Sequence, residues 1–195
     1  MDRRHILACS LAASLVGVTE QAGAQNFMII DDLSQPVPRA ANGADWEYVA
    51  DRVMGGVSTG GMTREKVGGR EAVRMRGDVS LDNNGGFIQI ALDLSASGES
   101  IDASAWRGIA LDILGNGEEY NLHLRTDDMR RHWQSYRQNF RAGSSWQTLL
   151  LPFNAFTAYR IEVPLDLKKL RRIGVVAIGR VFNADISVGG VRLYK

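Results

Sequence analysis

The sequence has 195 residues, a single cysteine and a formal net charge of +1, with 23 Lys and Arg residues against 22 Asp and Glu residues. The near-neutral charge argues against nucleic acid as the main partner. The single cysteine excludes an internal disulfide and any metal site built on several cysteines. A chain of this length suits one domain with its own hydrophobic core.

The first 24 residues have the order of a secretory signal peptide. Arg3 and Arg4 precede an apolar run at residues 6–18, and Ala22-Gly23-Ala24 fits a small-residue cleavage site. The run is shorter than the roughly 20 residues that a membrane-spanning helix needs. We therefore expect cleavage after Ala24 and a periplasmic or secreted mature protein without a membrane span. The letters "RRHIL" also resemble a twin-arginine signal, so the twin-arginine and Sec routes both stay open.

The mature chain divides into an N-terminal segment and a single β-rich domain. Residues 25–45 include "DDLSQPVPRAANGAD", which lacks periodicity and predicts an arm or loop. Residues 46–195 contain short segments with apolar residues at every second position, separated by Gly, Asn and Asp. This pattern predicts an all-β sandwich. The clearest alternation gives these inward residues: Ile88, Ile90, Leu92, Leu94, Ile109, Leu111, Ile113, Tyr120, Leu122 and Leu124.

The glycine-rich stretch "DRVMGGVSTGG", residues 51–61, is the first candidate site. It lacks the form of a phosphate-binding loop. Gly55 and Gly56 are predicted to adopt backbone conformations closed to other residues, and Asp51 is predicted to accept hydrogen bonds from neighbouring amides. Two interpretations remain open, a structural corner and a partner-binding edge. For the second, the candidate contact residues are Asp51, Arg52, Met54, Gly55, Gly56 and Ser58.

The polar stretch "RRHWQSYRQNFR", residues 130–141, is the second candidate site. It is predicted as a strand that is polar on both faces, with Trp133 on the opposite parity from Tyr136 and Phe140. Either it binds a ligand or it is an edge strand kept soluble by arginine. A sugar ring could stack on Trp133 or Tyr136. The candidate platform residues are Arg125, Asp127, Trp133, Tyr136 and Asn139.

The residue types that catalysis and metal binding need are sparse. His123 and His132 could approach each other across a hairpin with Asp127 between them, but two solvent-facing histidines are the simpler interpretation. The sequence contains no nucleophile-elbow motif and no evident carboxylate pair. We therefore predict no catalytic residues, no metal site and no cofactor.

The order of motifs along the chain resembles a known family. "WEYVADRVMGGVS", "RMRGDVSLDNNGGF", "WRGIALDILGNGEEYNLHLRT" and "LKKLRRIGVVAIG" follow one another between residues 46 and 194. This order resembles the complex I intermediate-associated protein 30 family. The resemblance implies a galactose-binding-like jelly-roll fold and a non-catalytic domain. Mitochondrial members of the family assist assembly of respiratory complex I, and related sandwiches in carbohydrate enzymes bind sugars.

These observations and the resemblance together give the expected function. We expect an exported module that binds a protein partner, such as a membrane-complex subunit, and supports its assembly. The alternative is a module that binds carbohydrate or another small ligand.

Overall fold

The computed structural model of the protein describes residues 27–36 and 38–195. The predicted signal peptide lies outside these residues. The described chain forms twelve β-strands joined by turns, with short 3₁₀ turns and no longer helix among the described elements. The strands are β1 (Phe27–Asp31), β2 (Trp46–Ala50), β3 (Thr59–Val67), β4 (Arg70–Val79), β5 (Phe87–Asp93), β6 (Gly108–Gly115), β7 (Glu119–Thr126), β8 (Ser135–Arg141), β9 (Gln147–Pro152), β10 (Thr157–Tyr159), β11 (Leu170–Ile178) and β12 (Phe182–Tyr194).

Two antiparallel six-stranded sheets make the sandwich. The first has the order β3-β4-β12-β6-β9, and β1 also pairs with β12. The second has the order β10-β8-β7-β11-β5-β2. In the first sheet β12 pairs with β4 over residues 182–188, with β6 over residues 186–194 and with β1 over residues 191–194. β12 is therefore the strand that joins β1, β4 and β6 in the first sheet.

The predicted inward residues form the core between the sheets. Ile88, Ile90 and Leu92 of β5 are fully buried, as are Ile109, Leu111 and Ile113 of β6 and the three predicted residues of β7. The intervening residues of β7, including His123 and Arg125, lie on the outer face and are partly exposed. The all-β sandwich prediction is therefore confirmed, since period-two alternation identified the core-facing residues of each of these strands.

The described residues between 27 and 45 differ from the predicted arm or loop. Phe27–Asp31 is a strand, and Ile30 and Leu33 belong to the core. Asp31 accepts hydrogen bonds from the Trp46 indole Nε1 at 2.7 Å, the Leu33 amide at 2.9 Å and the Ala41 amide at 3.1 Å. This segment is therefore part of the sandwich rather than an appendage. Its strand has no readable alternation, because three exposed apolar residues precede the two buried ones.

The predicted strand at residues 130–141 is shorter in the structure. The strand begins at Ser135, and Trp133 lies in a turn before it. The parity conflict between Trp133 and Tyr136 therefore disappears without a bulge. The turn forms because the Gln134 side chain accepts hydrogen bonds from the Arg130 and Arg131 amides at 2.8 and 2.9 Å.

Candidate functional site

A buried carboxylate organises the corner that follows β2. Asp51 is fully buried and accepts hydrogen bonds from the Ser58 amide at 3.0 Å and the Ser58 hydroxyl at 2.5 Å. It also accepts them from the amides of Gly86 at 2.6 Å and Phe87 at 3.2 Å. Burial raises the pKa of Asp51, but these four bonds outweigh burial and hold the pKa below its usual value. Asp51 thus holds the segments around residues 51–58 and 86–87 together as an anion.

The glycines around Asp51 have separate physical roles. Gly55 has φ of 90° and ends the short turn Asp51–Met54, a conformation that glycine adopts without strain. Gly56 is needed for space, because a Cβ at this position would overlap the Asp51 carboxylate. Gly60 pairs with Gly77 across β3 and β4, and a Cβ at Gly60 would overlap the Arg76 carbonyl oxygen. Gly56 and Gly60 therefore let the chain pass close to its neighbours, whereas Gly55 lets it turn.

Exposed apolar side chains surround this buried anchor. The exposed fraction is 74% for Val53, 57% for Met54 and 42% for Val57. Leu81 and Val181 lie on the two adjoining turns and are 48% and 70% exposed. These five residues are called the apolar corner below. The turns adjoin because the Gly179 amide donates to the Gly86 carbonyl at 3.0 Å, and the Leu81 Cδ2 lies 3.1 Å from where a Cβ of Gly86 would be.

The structure divides the six candidate contact residues of the glycine-rich stretch into two groups. Asp51, Gly56 and Ser58 are buried and form the anchor. The other three, Arg52, Met54 and Gly55, are exposed. A partner could touch only the second group directly. The structural-corner and partner-binding interpretations therefore apply to different residues of the same stretch.

The five candidate platform residues do not form one surface. Tyr136 is buried, and its hydroxyl donates to the carbonyl oxygens of Val163 at 2.7 Å and Pro164 at 3.0 Å. Its ring is therefore closed to stacking by a sugar. Asn139 is exposed and donates to Glu119 at 3.0 Å, and Asp127 is exposed in the turn after β7. Of the two predicted stacking rings, only Trp133 is exposed, at 47%.

Arg125 supports the turn that carries Trp133. Its guanidinium donates to the carbonyl oxygens of His132 at 2.6 Å, Gln134 at 3.1 Å and Arg131 at 3.2 Å. Two of these acceptors flank Trp133 in the chain. The predicted link between Arg125 and Trp133 is thus present as support of the backbone rather than as a shared ligand contact.

The two histidines occupy different environments. His123 is partly buried on the outer face of β7, with its Nε2 atom buried, whereas His132 is exposed in the turn before β8. Burial, and next the charges of Arg137 and Arg125, lower the pKa of His123 to about 3, so its imidazole is neutral. No group of three His, Cys, Asp or Glu residues within the described part of the chain is arranged to hold a metal ion.

The family of the chain follows from a match over most of its length. The family model described as complex I intermediate-associated protein 30 (CIA30) matches residues 36–189. The chain belongs to the complex I intermediate-associated protein 30 family. The match includes the glycine-rich stretch and the turn that carries Trp133, so the resemblance inferred from the sequence is confirmed. No curated protein sequence matches this CIA30 family member.

Solved structures with the same fold include carbohydrate-binding modules. The family 11 module of the cellulosomal cellulase Lic26A-Cel5E of Clostridium thermocellum aligns with a TM-score of 0.69 at 15% identity, covering 88% of this chain and 95% of the module. The family 11 module from Clostridium thermocellum in complex with a β-1,3-1,4-mixed-linked tetrasaccharide aligns with a TM-score of 0.67 at 16% identity, covering 86% and 95%. A family 30 module aligns with a TM-score of 0.54 at 13% identity, covering 70% and 73%. At these identities the likeness establishes the jelly-roll fold of the CIA30 member.

Two features of the site were missed at the level of sequence. Leu81 and Val181 are single apolar residues in polar turns, and nothing in their neighbourhood links them to Met54. The second feature is Tyr159, which lies in β10, a strand of three residues that is too short to show a pattern.

No helix among the described residues of this CIA30 member is both long and apolar enough to cross a membrane.

Proposed function

We propose that this CIA30 family member is an exported, non-catalytic module that binds a protein partner and supports its assembly. The observation that carries the proposal is the apolar corner, five exposed apolar side chains on three adjoining turns, two of which are held by one buried carboxylate. Clustered apolar exposure of this kind is typical of surfaces that contact another protein.

Two properties of the apolar corner favour binding, a fixed backbone and an adaptable side chain. Asp51 fixes two of its turns through four hydrogen bonds, so little backbone freedom remains to be lost on association. Met54 adds an unbranched, polarisable side chain that adapts to the shape of a partner. Arg52 is exposed beside it and can provide a polar rim.

Export determines which partners are available. The signal-like residues 1–24 favour a mature protein on the outer side of the inner membrane. Family membership favours a respiratory complex as the partner. Together these suggest a partner surface on a membrane-complex subunit that faces the periplasm.

The proposal is tested by capture from solubilised membranes with matched variants. The double variant Val53→Ser/Met54→Ser removes two apolar contacts that the fold does not bury. Leu150→Ser is the control, since Leu150 is 56% exposed on β9, away from the corner. We expect respiratory-complex subunits to be enriched by wild type and by the control, and lost with the double variant. Equal enrichment by all three proteins, or none by wild type, would contradict the proposal.

A second candidate function is carbohydrate binding. It is favoured by the exposed Trp133 ring together with a fold shared with carbohydrate-binding modules, one of them solved with a mixed-linked tetrasaccharide. The two functions use different ends of the sandwich. Gly86, which Asp51 holds, lies just before the first residue of β5. Trp133 lies just before the first residue of β8, and this end of β8 pairs with the end of β7 that carries Arg125.

A further inference from the structure

Arginines and aromatic rings meet where β8, β10 and the turn before β8 come together. Arg131 lies 5.9 Å from the Trp133 ring centroid, and Arg137 and Arg160 lie 3.4 and 5.4 Å from the Tyr159 ring centroid. The Gln134 side chain donates to the Arg160 carbonyl at 3.1 Å, which holds the Trp133 turn beside the end of β10. These five residues, Arg131, Trp133, Arg137, Tyr159 and Arg160, are called the arginine–aromatic patch.

The positive charge of the patch is not balanced within the described chain. None of the three patch arginines forms an ion pair with a carboxylate of the described residues. Arg172, on the same sheet, differs because it pairs with Glu47 at 2.5 Å and with Asp93 at 2.9 Å. A cationic cluster without counter-charges attracts anions, so the patch is suited to an anionic ligand.

Arg137 is the most buried of the three patch arginines. Its guanidinium is half-buried, and burial lowers the pKa of Arg137 below its usual value. Its cross-strand neighbour is His123, whose Nε2 is buried and has no hydrogen-bond partner. A neutral imidazole brings no negative charge. The groups that face this partly desolvated cation are the Tyr159 ring and the Ser135 hydroxyl, which accepts from its Nε at 2.8 Å, and no carboxylate of the described residues pairs with it. An anionic group placed here would gain more than one at a fully solvated arginine.

The exposed rings indicate what carries the anion. Trp133 is 47% and Tyr159 is 36% exposed, and such rings stack on the apolar face of a pyranose. Guanidinium groups hold a carboxylate through paired hydrogen bonds. We propose that the arginine–aromatic patch binds an acidic oligosaccharide, a chain of uronic acids, with a pyranose ring on Trp133 and carboxylates at Arg137 and Arg160. This inference rests on the second candidate function and names its ligand class.

An acidic peptide fits the same place less well. A peptide that adds a strand needs a free sheet edge several residues long. The edge here is β10, which has three residues and is followed at once by Arg160 with φ of 54°. The left-handed residue ends the extended edge, so little backbone remains for a peptide to pair with.

Calorimetric titration of the folded protein tests the inference. The ligands are a tetramer of galacturonic acid, a neutral tetrasaccharide, and an oligoglutamate with the same number of carboxylates. The variants are Trp133→Ala and Arg160→Gln, with Arg141→Gln as control, since Arg141 is exposed at the end of β8 that lies away from the Trp133 turn. Thermal melting confirms that each variant is folded.

We expect the uronate to bind, with affinity that falls as salt rises. The two patch variants should each weaken binding about tenfold or more, and Arg141→Gln should leave it unchanged. Equal, salt-independent binding of the neutral and acidic sugars would overturn the acidic ligand class while leaving carbohydrate binding in place. Oligoglutamate binding as tightly as the uronate would overturn the saccharide assignment. No binding of either sugar would overturn both the inference and the second candidate function.

Discussion

Replacing Asp51 by Ala tests whether this residue is an anchor rather than a contact. The substitution deletes the acceptor of four hydrogen bonds and leaves the buried amides of Ser58 and Gly86 without a partner. Each unsatisfied buried group costs about 1–3 kcal/mol, so we expect the free energy of unfolding to fall by about 3–5 kcal/mol. Asp51→Asn keeps one carbonyl acceptor and should lose less, about 1–2 kcal/mol.

Urea denaturation of the three proteins measures these differences. Asp127→Ala is the matched control, because Asp127 is exposed and its side chain makes no hydrogen bond to the described residues, so the change should stay within about 0.5 kcal/mol. A loss below about 1 kcal/mol for Asp51→Ala, with an unchanged denaturant slope, would refute the anchor role. The exposed corner would then not owe its shape to this carboxylate.

Three further predictions follow from the same geometry. Gly55→Val should lower the free energy of unfolding by about 1–3 kcal/mol, since Gly55 has φ of 90°. Gly56→Ala should also destabilise the fold, because a Cβ there would overlap Asp51. Gly61→Ala, with open space around it, is the control in thermal melts. The pKa of His123 is about 3 against 6.5 for a free histidine, so the unfolded chain takes up a proton that the folded protein does not. Lowering the pH from 7 to 5 should therefore cost up to about 2 kcal/mol of stability, and His123→Gln, unlike His132→Gln, should remove that loss. Fractionation and N-terminal sequencing should find mature protein that begins at Gln25 in the periplasm. The double variant Arg3→Lys/Arg4→Lys should block export only if the twin-arginine route is used. A full-length cytoplasmic product would contradict export.

The parts of the fold that sequence could predict are those governed by local periodicity. Ile88, Ile90 and Leu92 alternate with Phe87, Gln89, Ala91 and Asp93, of which all but Ala91 are partly exposed. That alternation alone identifies a strand and its core-facing residues. β1 escaped prediction because its pairing with β12 joins residues at opposite ends of the sequence. The five residues of β1 contain no signal of pairing with a strand so distant in the sequence.

The candidate sites were predictable only as far as their chemistry is local. Asp51 was expected to accept hydrogen bonds from neighbouring amides, but its burial was not predicted, and two of its donors, Gly86 and Phe87, are distant in sequence. Tyr136 was expected to be open, but whether a tyrosine in a strand faces the core depends on the strand that packs beside it. Leu81 and Val181 join Met54 only through the folded chain, so the apolar corner could not be predicted from the sequence.

The position of β12 has a consequence for the timing of folding. This strand is the last in the sequence, yet β4, β6 and β1 all pair with it. During synthesis those three strands leave the ribosome without the partner that joins them, and the first sheet cannot close until residues 182–194 have emerged. Pairings over such long sequence separations form slowly. The first sheet therefore stays open until residues 182–194 have emerged and paired with β4, β6 and β1.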